Sequence, residues 1–165
     1  MNMDSPMAVT GVLLAELSSL PGGVADTSTL IYLERLRLLQ LAAQSLRLVV
    51  IPQVVREFGT QPKAELAVIE APPGPADQVV WQMAAALRLP VLTEDRGIIQ
   101  KARKAGLPYY NALMVVLALH LQGFLNAKDC REALNQLPGF ARYSPRVVAV
   151  GEAVWAAIRA KARAG

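Results

Sequence analysis

The chain has one cysteine, Cys130, and one histidine, His120. A single cysteine excludes an intramolecular disulfide and any multi-cysteine zinc or iron–sulfur site. A single histidine excludes the paired-histidine acid–base chemistry of metal-independent ribonucleases and any histidine-rich metal cage. Aromatic residues make up only 5% and charged residues only 18% of the chain. No apolar run reaches the ~18 residues needed to span a bilayer; the longest lie around Val12–Leu20 and Ala112–Leu121. The opening Met1–Met7 has no basic n-region, so no signal peptide is expected and the cytoplasm is the expected compartment. Also missing are the P-loop pattern Gly-x-x-x-x-Gly-Lys-Ser/Thr, the Gly-x-Gly-x-x-Gly dinucleotide turn and the Gly-x-Ser-x-Gly nucleophile elbow. The Asp-x-Asp of haloacid-dehalogenase phosphatases fails at Ser28. Chemistry is left mostly to carboxylates, hydroxyls and basic groups.

What is present suits one compact domain. At 165 residues and 53% hydrophobic, the chain can bury roughly 70% of its unfolded surface without a disulfide or structural metal. Seventeen basic residues against 13 acidic give a net charge of +4, a balance that suits a phosphate-rich partner.

Periodicity and punctuation order the elements. Residues 1–22 read as an extension, with a short amphipathic helix at Val12–Leu20 stopped by Pro21-Gly22-Gly23. A short strand at Gly23–Ala25 runs into Asp26-Thr27-Ser28-Thr29, good N-caps for a helix from Leu30 to about Ser45. Leu46–Ile51 reads as a buried strand, Gln53–Phe58 as a short helix, Lys63–Ala71 as poorly defined and Ala71–Pro75 as a loop. Helix Asp77–Leu87, strand Pro90–Thr93, helix Gly97–Ala105, strand Leu107–Tyr110 and helices Ala112–Gln122, Asn126–Leu137 and Pro145–Arg163 come next. Strands alternating with helices imply an α/β fold: a parallel sheet of about four to five short strands with helices on both faces. The expected domain covers 23–150, with 151–165 as its closing helix.

Ligands of open α/β sheets bind at the carboxyl ends of the strands. Four acids fall near that edge: Asp26 after the first strand, Glu57 on the helix after the second, Asp77 opening the helix after the proline-rich loop, and Asp95 after Val91-Leu92-Thr93. Each taken singly has an ordinary structural use as a cap, a turn residue or a solvated side chain. Two carboxylates 4 Å apart repel by ~4 kcal/mol at an effective dielectric of 20, so gathering four is costly without a cation. Such a cluster points to a hard divalent metal such as Mg²⁺ or Mn²⁺.

These residues also carry a family resemblance. Asp26-Thr-Ser-Thr-Leu-Ile resembles the opening motif of PIN-domain ribonucleases, the fold of the VapC-type toxins. Val54-Val55-Arg56-Glu57 resembles their second motif, Asp77 with Ala84 seven positions on their third, and Leu92-Thr93-Glu94-Asp95 their fourth. The stretch from Leu92 to about Val147 is similar to a prokaryotic PIN subgroup of largely unassigned role, through Arg96-Gly97, Ala102-Arg103, Gly106-Leu107, Gly123-Phe124-Leu125 and Phe140–Pro145.

The resemblance implies a metal-dependent endoribonuclease, with Asp26, Glu57, Asp77 and Asp95 holding Mg²⁺ or Mn²⁺ and a water activated there attacking the RNA phosphodiester. Thr27, Ser28 and Thr93 would help through their hydroxyls. It further implies the toxin of a toxin–antitoxin pair, an antitoxin protein as partner and a homodimer. Arg96, Lys101, Arg103 and Lys104 are the candidate contacts to the nucleic-acid backbone.

Three features depart from the family pattern: Gly22-Gly23 in the first strand, Pro-Pro-Gly-Pro before Asp77, and Glu94, which stands beside Asp95 as an alternative ligand. A catalytically silent PIN-like interaction module and a nuclease acting on DNA are the competing readings.

Overall fold

The computed structural model describes residues 6–59 and 65–165. Residues 60–64, which include the start of the segment expected over Lys63–Ala71, lie outside the described residues, as do the first five. The chain divides into two compact units, one of residues 21–112 and one of residues up to Leu20 together with 113–165.

The 21–112 unit is α/β. Its strands are β1 (Gly22–Ala25), β2 (Arg47–Val50), β3 (Ala67–Val68), β4 (Val91–Leu92) and β5 (Tyr109–Tyr110), in a five-stranded sheet of order β3-β2-β1-β4-β5. Every pairing is parallel. The crossover helices are α2 (Thr27–Arg35), α3 (Leu39–Ser45), α4 (Pro52–Phe58), α5 (Ala76–Leu87) and α6 (Arg96–Lys104), α1 being the Pro6–Ser18 helix of the other unit. α2 packs on α3 and α4, and α5 packs on α6. With right-handed crossovers these two groups fall on opposite faces of the sheet. The chain builds outward from β1 to β3 on one side, then returns to add β4 and β5 on the other. The reversal lies between β1 and β4.

Two glycines let β1 occupy the middle of the sheet. A Cβ on Gly22 (φ 137°) would lie 2.0 Å from the Arg47 carbonyl oxygen, and one on Gly23 would lie 2.6 Å from the Pro90 carbonyl oxygen and 2.7 Å from the Leu92 side chain. The pair that breaks the expected β-branched pattern is thus part of the strand, and its lack of side chains sets the close approach of β2 and β4.

The single helix expected from Leu30 to Ser45 is two. Arg37 adopts a left-handed conformation (φ 59°), and the N–H groups of Arg37 and Leu38 bond the carbonyls of Glu34 and Leu33, the Schellman pattern of a helix end. Neither glycine nor proline marks the stop. The break shifts the apolar phase, so Leu39 and Ala42 are buried while Leu38 and Leu41 are half-buried. Strand β3 has no counterpart in the sequence pattern, since both its residues are exposed. On α5, Val79, Val80 and Ala84 fill the core, while Trp81 and Met83 are half-exposed.

In the other unit, α1 packs on α9 (Pro145–Ala164). Leu17 and Leu20 are buried, and the Gln122 amide donates to the carbonyls of both at 2.9 and 3.0 Å. α7 (Ala112–Leu121) and α8 (Ala127–Gln136) complete the helices. No helix among the described residues is long and apolar enough to cross a membrane.

Candidate active site

Asp26 stands at the carboxyl end of β1, where its backbone N–H bonds the Leu92 carbonyl of β4 at 2.8 Å. It occupies the N-cap position of α2, yet its side chain makes no capping bond. The carboxylate instead accepts from Thr93 Oγ1 at 3.2 Å, with Asp26 only 8% exposed. A cap-type residue that leaves its own helix uncapped is used elsewhere. Asp95 differs: its Oδ1 accepts from the Ile98 N–H at 3.0 Å and caps α6. Its own N–H donates to Thr93 Oγ1 at 3.0 Å.

Glu57 lies in the last turn of α4, and Thr27 Oγ1 donates to its Oε2 at 2.7 Å. Asp77 is in the first turn of α5, 3.7 Å from the Lys101 ammonium, which also donates to Gln78 Oε1 at 3.0 Å.

These four carboxylates come from four chain segments and line one cavity of about 410 Å³ with Pro75, Ala76 and Ile98. The cavity sits at the ends of β1 and β4, where the direction of chain build-up reverses, the usual location of an α/β ligand site. Burial raises the Asp26 pKa above its ordinary value. The Thr27 backbone amide and the Thr93 hydroxyl pull it back, while the charges of Asp95 and Glu57 raise it further. The acids therefore feel one another. Carboxylate oxygens are the donors that Mg²⁺ and Mn²⁺ take. Among the described residues, no three acid, histidine or cysteine side chains are placed to close on one ion.

The supporting residues divide. Thr27 and Thr93 each hold an acid of the cavity. Ser28 Oγ is buried and finds no hydrogen-bond partner among the described residues. Glu94 Oε1 accepts from the Ala112 N–H of the same unit at 2.8 Å, and it is Asp95 that lines the cavity. Of the basic residues, Lys101 reaches Asp77, Arg96 and Lys104 are exposed, and Arg103 donates to the Tyr109 hydroxyl at 2.8 Å with its guanidinium 5.7 Å from that ring.

Gln53 carries no sequence signal of a role at this site. Its amide donates to the Pro72 and Gly74 carbonyls at 2.9 and 3.3 Å, across a separation that no local pattern announces.

In the other unit, His120 Nδ1 lies 2.7 Å from the Leu125 carbonyl oxygen and its ring rests 5.4 Å from that of Trp155. Burial pushes the Cys130 thiol up to about 12, which makes it a poor nucleophile.

No family model, curated protein or solved structure matches this chain.

Proposed function

We propose that the acid cavity is the catalytic site of a divalent-metal-dependent nuclease that hydrolyses RNA phosphodiesters. The observation that supports this most is the meeting of Asp26, Glu57, Asp77 and Asp95 in one cavity at the sheet's reversal point. Mg²⁺ or Mn²⁺ held by these four carboxylates would supply Lewis acidity and lower the pKa of a water beside the phosphate. The remaining work falls to the protein. Without a cation the four acids repel a phosphodiester. Thr93 fixes the Asp26 carboxylate, and Thr27 fixes that of Glu57. Arg96 and Lys104, both exposed on α6, would neutralise flanking backbone phosphates. The resemblance to PIN-domain ribonucleases agrees with this reading and extends it to a toxin that forms a homodimer and is held by an antitoxin.

The test is cleavage of a mixed structured-RNA pool by the purified protein in Mn²⁺ or Mg²⁺. The reading predicts cutting that stops with EDTA and in Asp26→Asn. A parallel single-stranded DNA substrate distinguishes a DNA nuclease.

The second reading is a PIN-like interaction module without catalysis. It is favoured by the absence, among the described residues, of three such groups poised around one point. It predicts no tight Mn²⁺ binding and no cutting of either nucleic acid.

A further inference from the structure

We propose that Gln53 is a positioning residue for the acid cavity, holding the Pro72–Gly74 loop and through it the first turn of α5, which carries Asp77. The inference rests on the reading of that cavity as a metal site. Pro72, Pro73 and Pro75 have no N–H to donate, so the loop has few backbone donors of its own to fix its shape. Gln53 Nε2 donates to the carbonyls of Pro72 and Gly74, at 2.9 and 3.3 Å. With acceptors alone facing it, the amide has a fixed orientation.

The start of α5 depends on the shape of this loop. Gly74 takes φ +144°, a conformation that side chains rarely adopt. The next residue, Pro75, is the N-cap of α5 and offers no capping side chain. Its carbonyl instead accepts from the N–H groups of Gln78 and Val79 at 3.1 and 3.0 Å. A shift at Gly74 therefore passes to Pro75 and on to the turn bearing Asp77.

Gln53 and Glu57 are four residues apart on α4 and share a face of that helix. One short helix thus supplies one acid of the cavity and holds the loop that presents another. From α6, Lys101 holds Gln78 and Asp77. Asp77 is thus approached by polar contacts from two sides, the loop held by Gln53 and Lys101 of α6.

The experiment compares wild type with Gln53→Met, which keeps the length and removes the donor. Gln53→Glu serves if that variant fails to fold. Two readouts are taken on the full chain: hydrogen exchange at the Gln78 and Val79 amides without metal, and Mn²⁺ affinity by calorimetry. The expected result is faster exchange at both amides and Mn²⁺ binding weakened by about tenfold, the usual scale for losing a group that orients a ligand, with the thermal midpoint retained. Unchanged exchange overturns the proposal whether or not metal binds. Faster exchange with unchanged Mn²⁺ affinity also overturns it, while leaving the metal site standing. No Mn²⁺ binding by wild type removes the metal-site reading and this role with it.

Discussion

The Thr93 hydroxyl donates to Asp26 Oδ2 at 3.2 Å across 67 positions of sequence. Thr93 Oγ1 in turn accepts from the Asp95 N–H at 3.0 Å. One side chain, 1% exposed, thereby registers the acid at the end of β1 against the acid just after β4.

Thr93→Val keeps the shape and removes both bonds. It leaves a buried carboxylate oxygen and a backbone N–H without that partner, at a cost of about 1–3 kcal/mol. Urea unfolding is expected to show this loss, and Thr93→Ser to restore much of it. Equal stability of Thr93→Val and wild type would contradict the registering role.

The raised Asp26 pKa has a stability consequence. A carboxyl that holds its proton more tightly when folded contributes most at acid pH. That contribution falls as pH rises from the ordinary value of 3.8 through the higher folded value. Asp26→Asn removes the ionisation, so its thermal midpoint is expected to exceed that of wild type near neutral pH and to converge with it below 3.8. A variant less stable than wild type at neutral pH would contradict burial as the dominant cause of the shift.

Asp26, Asp77 and Asp95 were legible because each sits at a junction that local chemistry marks, a strand end or a helix start after a proline-rich loop, and Glu57 because it closes the short helix after the second strand. Asp26 reads in sequence as a cap and Asp95 as a turn residue, and the fold reverses them: Asp95 caps its helix and Asp26 does not. Strand β3 left no trace, because two exposed residues carry no alternation. The break at Arg37 was hidden because an arginine takes the place that glycine usually fills. Glu94 and Asp95 could not be ranked from adjacency alone, since neighbours in an extended segment point in different directions. Gln53 was invisible because its partners lie across a loop.

Gly23→Val would restore the β-branched character that the family pattern expects in the first strand. Here it should push β1 from β4, because its Cβ meets the Pro90 carbonyl oxygen and the Leu92 side chain. A loss of about 1–3 kcal/mol is expected from overpacking, read by chemical denaturation. A neutral outcome would contradict the tight β1–β4 approach.

Arg88 ends α5 in a left-handed conformation (φ 54°) and is exposed. Such a conformation costs an L-residue about 1–2 kcal/mol, partly offset in glycine by its greater unfolded entropy. Arg88→Gly is therefore expected to raise stability by about 0.5–1 kcal/mol, measured as a higher thermal midpoint. A lower midpoint would show that the Arg88 side chain contributes more than its backbone costs.

The central proposal is that the cavity lined by four carboxylates from separate segments takes up a divalent cation. The most direct measurement is Mn²⁺ binding by calorimetry to wild type, Asp26→Asn, Glu57→Gln, Asp77→Asn and Asp95→Asn, with Glu94→Gln as the neighbouring control. The account predicts saturable binding to wild type, weakening by more than about tenfold in each of the four, and near wild-type affinity in Glu94→Gln. Absence of Mn²⁺ binding to wild type, or binding indifferent to all four substitutions, would contradict it.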